Sequence, residues 1–151
     1  MTTFKSRLQD DLTAAIKARD ELRSATLRMT LAAITKEEVA GTEARVLSDD
    51  EVQAVIVREA KKRREAAEAF DKGGRTEQAA RERAEGEVLA EYLPAQLSDE
   101  ELEAIVADAV AESGAEGPRA MGAVMKIVKP KVGDRAEGGR VAAAVKRALA
   151  G

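Results

Sequence analysis

Five cations near the C-terminus, Lys126, Lys129, Lys131, Arg135 and Arg140, offer the clearest chemistry in the chain. Residues 118–151 hold eight basic side chains against two acidic ones, Asp134 and Glu137, a net +6. The whole chain carries −3, which leaves −9 on residues 1–117. Cations grouped in this way can neutralise phosphates, and binding of that kind weakens steeply with salt. No aromatic residue follows Tyr92. Base stacking is therefore not expected from this segment, and an RNA bound here would be held through phosphate positions and shape. The five are candidate RNA-binding residues; the alternative is a solvated surface docked on the acidic body.

Other chemistry is narrowed by what the chain lacks. It has no His and no Cys, which removes Ser-His and Cys-His nucleophiles, the usual zinc sites and disulfides. Glu82, Glu85, Glu87 and Glu91 could suggest a carboxylate site, but without a convergent partner they read as surface or interhelix ion pairs. Gly133 to Gly139 lacks the spacing of a phosphate-cradling loop and reads as a helix connection. Lys61-Lys62-Arg63-Arg64 is flanked by Glu59, Glu65 and Glu68 at four-residue spacings, the pattern of an ion-laced solvated helix face. Met121 and Met125 read as core. Tyr92 is expected to pack between two units, with its hydroxyl partnered there. No catalytic residue, cofactor or metal is assigned.

The elements that must position these residues are all helical. Phe4, Leu8, Leu12 and Ile16 mark one face of a first helix. No Gly or Pro separates it from the next run, so one long helix is the alternative to a break near Ala18–Asp20, which is favoured because the stripe fails there. A second runs from Asp20 to about Val39, with Leu27, Leu31 and Ile34 on one side and Leu22, Ala25, Met29 and Ala33 on the next, and Gly41 beyond it. Ser48-Asp49-Asp50-Glu51 is a capping box opening a third, with Val52, Val55, Ile56, Ala60, Ala67 and Phe70 inward and Gly73-Gly74 at its end. The fourth spans about Thr76 to Leu93, with Ala80, Ala84, Val88, Leu89, Tyr92 and Leu93 inward, and stops at Pro94. A second capping box, Ser98 to Glu101, opens a fifth helix that ends at Gly114.

Pro118 suits the first turn of a sixth helix. Pro130 should stop it at Lys129, and Gly122 inside it suggests close approach of a neighbouring helix or a ligand. Val141, Val145 and Leu149 mark a seventh. No period-two runs appear, so no strands are expected. The fold class is all-α: N-terminal helical hairpins over residues 1–93, a linker at 94–97, and a small three-helix C-terminal domain over 98–151. No window is apolar enough to span a bilayer, and the N-terminus shows no apolar signal core, so a cytoplasmic protein with no membrane partner is expected.

Several stretches together resemble the GatB/YqeY family: Leu27-Arg28-Met29, Arg58 to Glu65, Tyr92-Leu93-Pro94-Ala95-Gln96-Leu97-Ser98, Met121 to Met125, Pro130-Lys131-Val132 and Gly138. Their order and spacing cover nearly the whole chain. The family includes free-standing proteins of this length and the C-terminal tail of the B subunit of the tRNA-dependent amidotransferase. The resemblance implies a helical two-domain fold and a link to tRNA. It does not bring the amidotransferase's catalytic core, which has no counterpart here.

The leading expectation is a non-catalytic module associated with tRNA or with the tRNA-dependent amidotransferase system. One alternative is a protein-interaction module whose partner is an amidotransferase subunit or another protein. Another is an accessory amide-nitrogen ligase activity with glutamine as amido donor, for which no nucleotide site or nucleophile–base pair is visible.

Overall fold

A computed structural model describes residues 3–114 and 116–150. It contains α1 (Phe4–Lys17), α2 (Glu21–Glu38), α3 (Asp49–Lys72), α4 (Thr76–Ala90), α5 (Asp99–Ser113), α6 (Met121–Val132) and α7 (Gly138–Ala150), with 3-10 turns at Pro118–Ala120 and Gly133–Arg135. Among the described residues there is no strand, so the all-α expectation holds. The chain divides into two compact units, Met1–Leu93 and Pro94–Gly151.

The N-terminal unit is built from two antiparallel hairpins, α1–α2 and α3–α4. The first hairpin turns on Arg19, a non-glycine residue at φ 59°. Its neighbour Asp20 donates its backbone N–H to the carbonyl of Ala15 at 2.9 Å and its carboxylate caps α2 by accepting from Arg23 N–H at 3.0 Å. A left-handed residue followed by a fresh N-cap ends one helix and starts the next within three residues. That is why the apolar stripe fails where it does.

Three capping boxes set helix starts: Ser48 with Glu51, Ser98 with Glu101, and Thr3 with Ser6, which sequence pattern did not single out. The Phe4 N–H also donates to Asp49 at 3.0 Å, joining the starts of α1 and α3. Leu8, Leu27, Ile34, Val52, Val55, Ile56 and Leu89 form the core, with Leu47 from the loop and Tyr92.

Apolar type alone misplaces parts of three helices. Ile16, the last residue of the α1 stripe, is 48% exposed. Ala79, not Ala80, is the buried alanine early in α4. Met29 is 39% exposed, while Ser24, Thr26 and Thr30 of the same helix are buried. Their hydroxyls donate to the carbonyls one turn back, at 2.7 to 2.8 Å. A hydroxyl satisfied by its own helix can be buried without a distant partner.

In the C-terminal unit, α5, α6 and α7 enclose Leu102, Val106, Ala109, Val124, Val128, Val132, Val141, Ala144 and Val145. Leu97 joins this core, and its N–H donates to the Arg135 carbonyl at 2.7 Å. Two expectations for α6 fail. Pro130 lies inside the helix, which runs on to Val132. Proline removes one backbone donor, but Val132 is only 2% exposed, and its burial holds the last turn in place. The stop comes at Gly133, whose φ of 54° and ψ of −130° are accessible in practice only to glycine.

Gly122 approaches no neighbouring helix. It is exposed, and a Cβ there would meet nothing within 4 Å. A larger residue would therefore not overpack the unit. Gly122→Ala is expected to raise its stability by up to about 1 kcal/mol through helix propensity. A thermal melt that falls on this substitution would show a constraint on Gly122 that the packing does not contain.

Candidate functional site

The five candidate cations fall into three groups. Lys126 and Lys129 stand one turn apart on the solvent face of α6, opposite the buried Val124, Val128 and Val132. Among the described residues neither has an ion-pair partner within 4 Å, and Gly122, Ala123 and Pro130 complete the exposed face. Lys131 is turned toward α5, with Nζ 3.2 Å from Glu112.

Arg135 and Arg140 hold backbone. Arg135 donates to the carbonyls of Lys131 and Val132, the last turn of α6. A cation at a helix C-terminus also complements the macrodipole. Arg140 donates to the Leu97 carbonyl and to Asp99, both at 2.9 Å. These two guanidiniums already have partners to give up before they could take a phosphate.

The charge division also looks different once the fold is known. Residues 94–151 carry nine acidic and eight basic side chains, a net −1. The domain is not basic as a whole. Its α5 holds Asp99, Glu100, Glu101, Glu103, Asp108 and Glu112 and no cation, whereas the positive charge sits on α6, α7 and the turns beside them. The boundary between acidic and basic segments lies inside this unit, and the Lys131–Glu112 and Arg140–Asp99 pairs cross it. Lys126 and Lys129 on α6, Lys146 and Arg147 on α7 and Arg119 before α6 remain open to a polyanion, and the α6 pair lies on a face with no acidic side chain.

Three of the four carboxylates, Glu82, Glu85 and Glu91, resolve into interhelix pairs, while Glu87 is exposed and has no ion-pair partner among the described residues. Arg63 reaches from α3 to Glu82 at 3.5 Å and Glu85 at 3.4 Å on α4. Glu85 is buried and also accepts from Arg81 at 3.0 Å. Arg81 in turn grips Glu21 of α2 with two hydrogen bonds of 2.8 and 3.1 Å. Those bonds hold the Glu21 carboxyl below its usual range. Arg23 pairs with Glu91. The 61–64 run is thus split: Lys61, Lys62 and Arg64 lie on the solvated face, while Arg63 turns inward. Lys61 pairs with Glu65 at 3.9 Å, and Glu59 takes Lys62 at 3.3 Å rather than Arg63.

Glu38 is a further anchor that apolar patterning could not show. Buried at the end of α2, it accepts from Lys5 at 2.8 Å and from the Leu47 N–H at 3.3 Å. The bond from Lys5 is the main cause of its lowered pKa. Glu51, in the Ser48 capping box, is held at about 2, first by Arg45 and then by the Ser48 N–H.

Tyr92 packs inside the N-terminal unit, within the cluster that includes Leu8, Leu27 and Leu89, and is 5% exposed. Its hydroxyl donates to Asp11 of α1 at 2.5 Å, and the Arg7 guanidinium lies 4.9 Å from the ring centroid. Burial, then the Asp11 carboxylate, push the phenol up to about 12. The raised value means the folded state keeps this proton after the unfolded chain releases it. The contribution is therefore complete below the ordinary tyrosine range near 10 and is lost as pH rises toward about 12. Melts between those values should show a steeper loss of Tm for the wild type than for Tyr92→Phe. Parallel curves would remove Tyr92 from the alkaline transition.

A search of curated proteins returned no match to this chain. The sequence pattern described as Yqey-like protein matches residues 5–149. A match over nearly the whole length, on an all-helical chain carrying the motifs quoted above, assigns this protein to the YqeY-like family.

Proposed function

We propose that the protein is a non-catalytic, tRNA-associated helical module that holds RNA phosphates on the exposed face of α6. The observation that supports this most directly is the pair Lys126 and Lys129, both exposed and without an ion-pair partner among the described residues. They lie on a face with no acidic side chain. The resemblance to the amidotransferase B-subunit tail supplies the link to tRNA. Lys131 joins the contact by exchanging Glu112 for a phosphate, and Arg135 and Arg140 keep the helix ends in place beside it. Phosphate contacts fix the position of an RNA without selecting its sequence.

The test is a tRNA titration of the full chain across a salt series. Binding to several tRNAs alike, with log affinity falling linearly in log salt, is the expected result. No salt-sensitive binding would set the RNA reading aside. A second reading, a docking module for a protein such as an amidotransferase subunit, draws on exposed Val39 and Val46 at 58% and 84%. A pulldown with and without RNase separates the two. RNA in the eluate supports the first; a defined protein partner retained after RNase supports the second.

A further inference from the structure

A crevice of about 370 Å³ opens between the first two turns of α5 and the facing side of α7. This is near the small end of ligand-pocket volumes. Asp99 and Glu103, one turn apart, line it from α5, and Arg140, Ala143 and Arg147 line it from α7. Leu102, otherwise buried in the core, supplies apolar lining together with Ala143.

The two ends of the crevice differ. At one end Asp99 and Arg140 are joined at 2.9 Å, and Arg140 is fixed further by the Leu97 carbonyl. At the other end Glu103 and Arg147 are both exposed, and among the described residues neither has an ion-pair partner, including each other. The space beside Ala143 stays open because alanine does not fill it.

The charge pattern restricts what could occupy this space. Asp99 and Arg140 satisfy each other, so the open end presents one charge of each sign. A simple anion would meet Arg147 but also the Glu103 carboxylate, and a simple cation would meet Glu103 but also the Arg147 guanidinium. Like charges juxtaposed in a binding site are costly, so both classes are disfavoured. A molecule carrying both signs a short distance apart satisfies both walls. Its carboxylate can take the planar fork of Arg147, and its ammonium can donate to Glu103. The apolar lining suits a small aliphatic side chain between them. We propose that the α5–α7 crevice binds a free α-amino acid as its zwitterion, with Arg147 on the carboxylate and Glu103 on the ammonium. This site is separate from the α6 face and does not depend on the RNA reading.

The experiment is a titration of the ¹⁵N-labelled full chain with L-valine, N-acetyl-L-valine and L-valinamide, followed by NMR. L-valine should shift backbone amides in 99–103 and 140–147 and leave those around Lys126 unmoved. The acetylated compound lacks the ammonium and the amide lacks the carboxylate, so each should bind at least about tenfold more weakly. Glu103→Gln and Arg147→Gln should each weaken L-valine by a similar factor while keeping a native amide spectrum. Absence of shifts with millimolar L-valine, or equal responses to all three compounds, would overturn the assignment. Wild-type binding unchanged in both variants would overturn it as well. The three-compound comparison needs no variant, so it stands even if a substitution disturbs folding.

Discussion

Arg63→Ala is expected to destabilise the N-terminal unit by about 3 kcal/mol, the lower part of the range for opening a buried ion pair. The guanidinium lies between α3 and α4, 21% exposed, with Glu82 and Glu85 on its two sides. Removing it leaves Glu85, whose side chain is 8% exposed, with only Arg81, and leaves Glu82, at 18%, without this partner. Two carboxylates one turn apart then repel each other in a poorly hydrated place. In a helical unit of this size the loss should appear as a fall in Tm of more than about 10 °C. Lys61→Ala and Lys62→Ala, on the solvated side of the same run, should stay within about 0.5 kcal/mol. The control that isolates the cause is Arg63→Ala in a Glu82→Gln/Glu85→Gln background. Neutral amides do not repel, so the second cost should be much smaller than the first, giving a positive coupling between the sites. Additive losses would mean that Arg63 acts by packing its aliphatic stem rather than by its charge.

The sequence carried a sign of this arrangement that its chemistry concealed. Ile56, Ala60, Arg63, Ala67 and Phe70 recur at steps of four, three, four and three, the spacing of an inward-facing helical seam. On α4, Ala79, Glu82, Gly86 and Leu89 do the same. Selecting positions by apolar type passed over Arg63, Glu82 and Gly86 and shifted the inward alanine to Ala80, one position away. Spacing alone would have placed them correctly, because a paired charge at a seam position can be buried like an apolar residue. Gly86 agrees with this: a Cβ there would rest 3.8 Å from the Cβ of Arg63, so the two helices are close without clashing.

Helix starts were more legible than helix ends. A cap is a local event, written in Ser48, Asp20 and Ser98 and the residues three positions on. The end of α6 was set by tertiary contact. Pro130 argues locally for a stop at Lys129, but burial of Val132 and the backbone of Gly133 decide it. Tyr92 shows the same limit. Its need for a hydroxyl partner follows from its chemistry, whereas the identity of that partner, Asp11, comes from how α1 folds back. At the candidate site, the residue types were legible and their occupancy was not. No local pattern distinguishes Lys126 and Lys129, which are open to solvent, from Arg135 and Arg140, which are already bonded to carbonyls.

That distinction divides the candidate cations by the way each substitution should fail. Lys126→Gln/Lys129→Gln removes two charges that the fold does not use. The melt of the protein should be unchanged within about 0.5 kcal/mol. If both lysines neutralise phosphates, the slope of log affinity against log salt should fall by about 1.4 to 1.8, and tRNA affinity at moderate salt by at least about tenfold. The loss should be similar for unrelated tRNAs, since these contacts carry no base readout. Arg135→Gln should behave in the opposite way. It removes donors from the last carbonyls of α6 and a cation from the helix C-terminus, so the melt should fall by about 0.5–1.5 kcal/mol. Its salt slope should change by less than that of the lysine pair, because its guanidinium is committed to the backbone. The two measurements therefore cross: one variant loses RNA and keeps its stability, the other loses stability and keeps most of its salt dependence. If Arg135→Gln reduced the slope as much as the double lysine variant, the contact surface would have to extend from the α6 face around the helix end. If neither variant changed the slope, α6 would not be where the RNA lies.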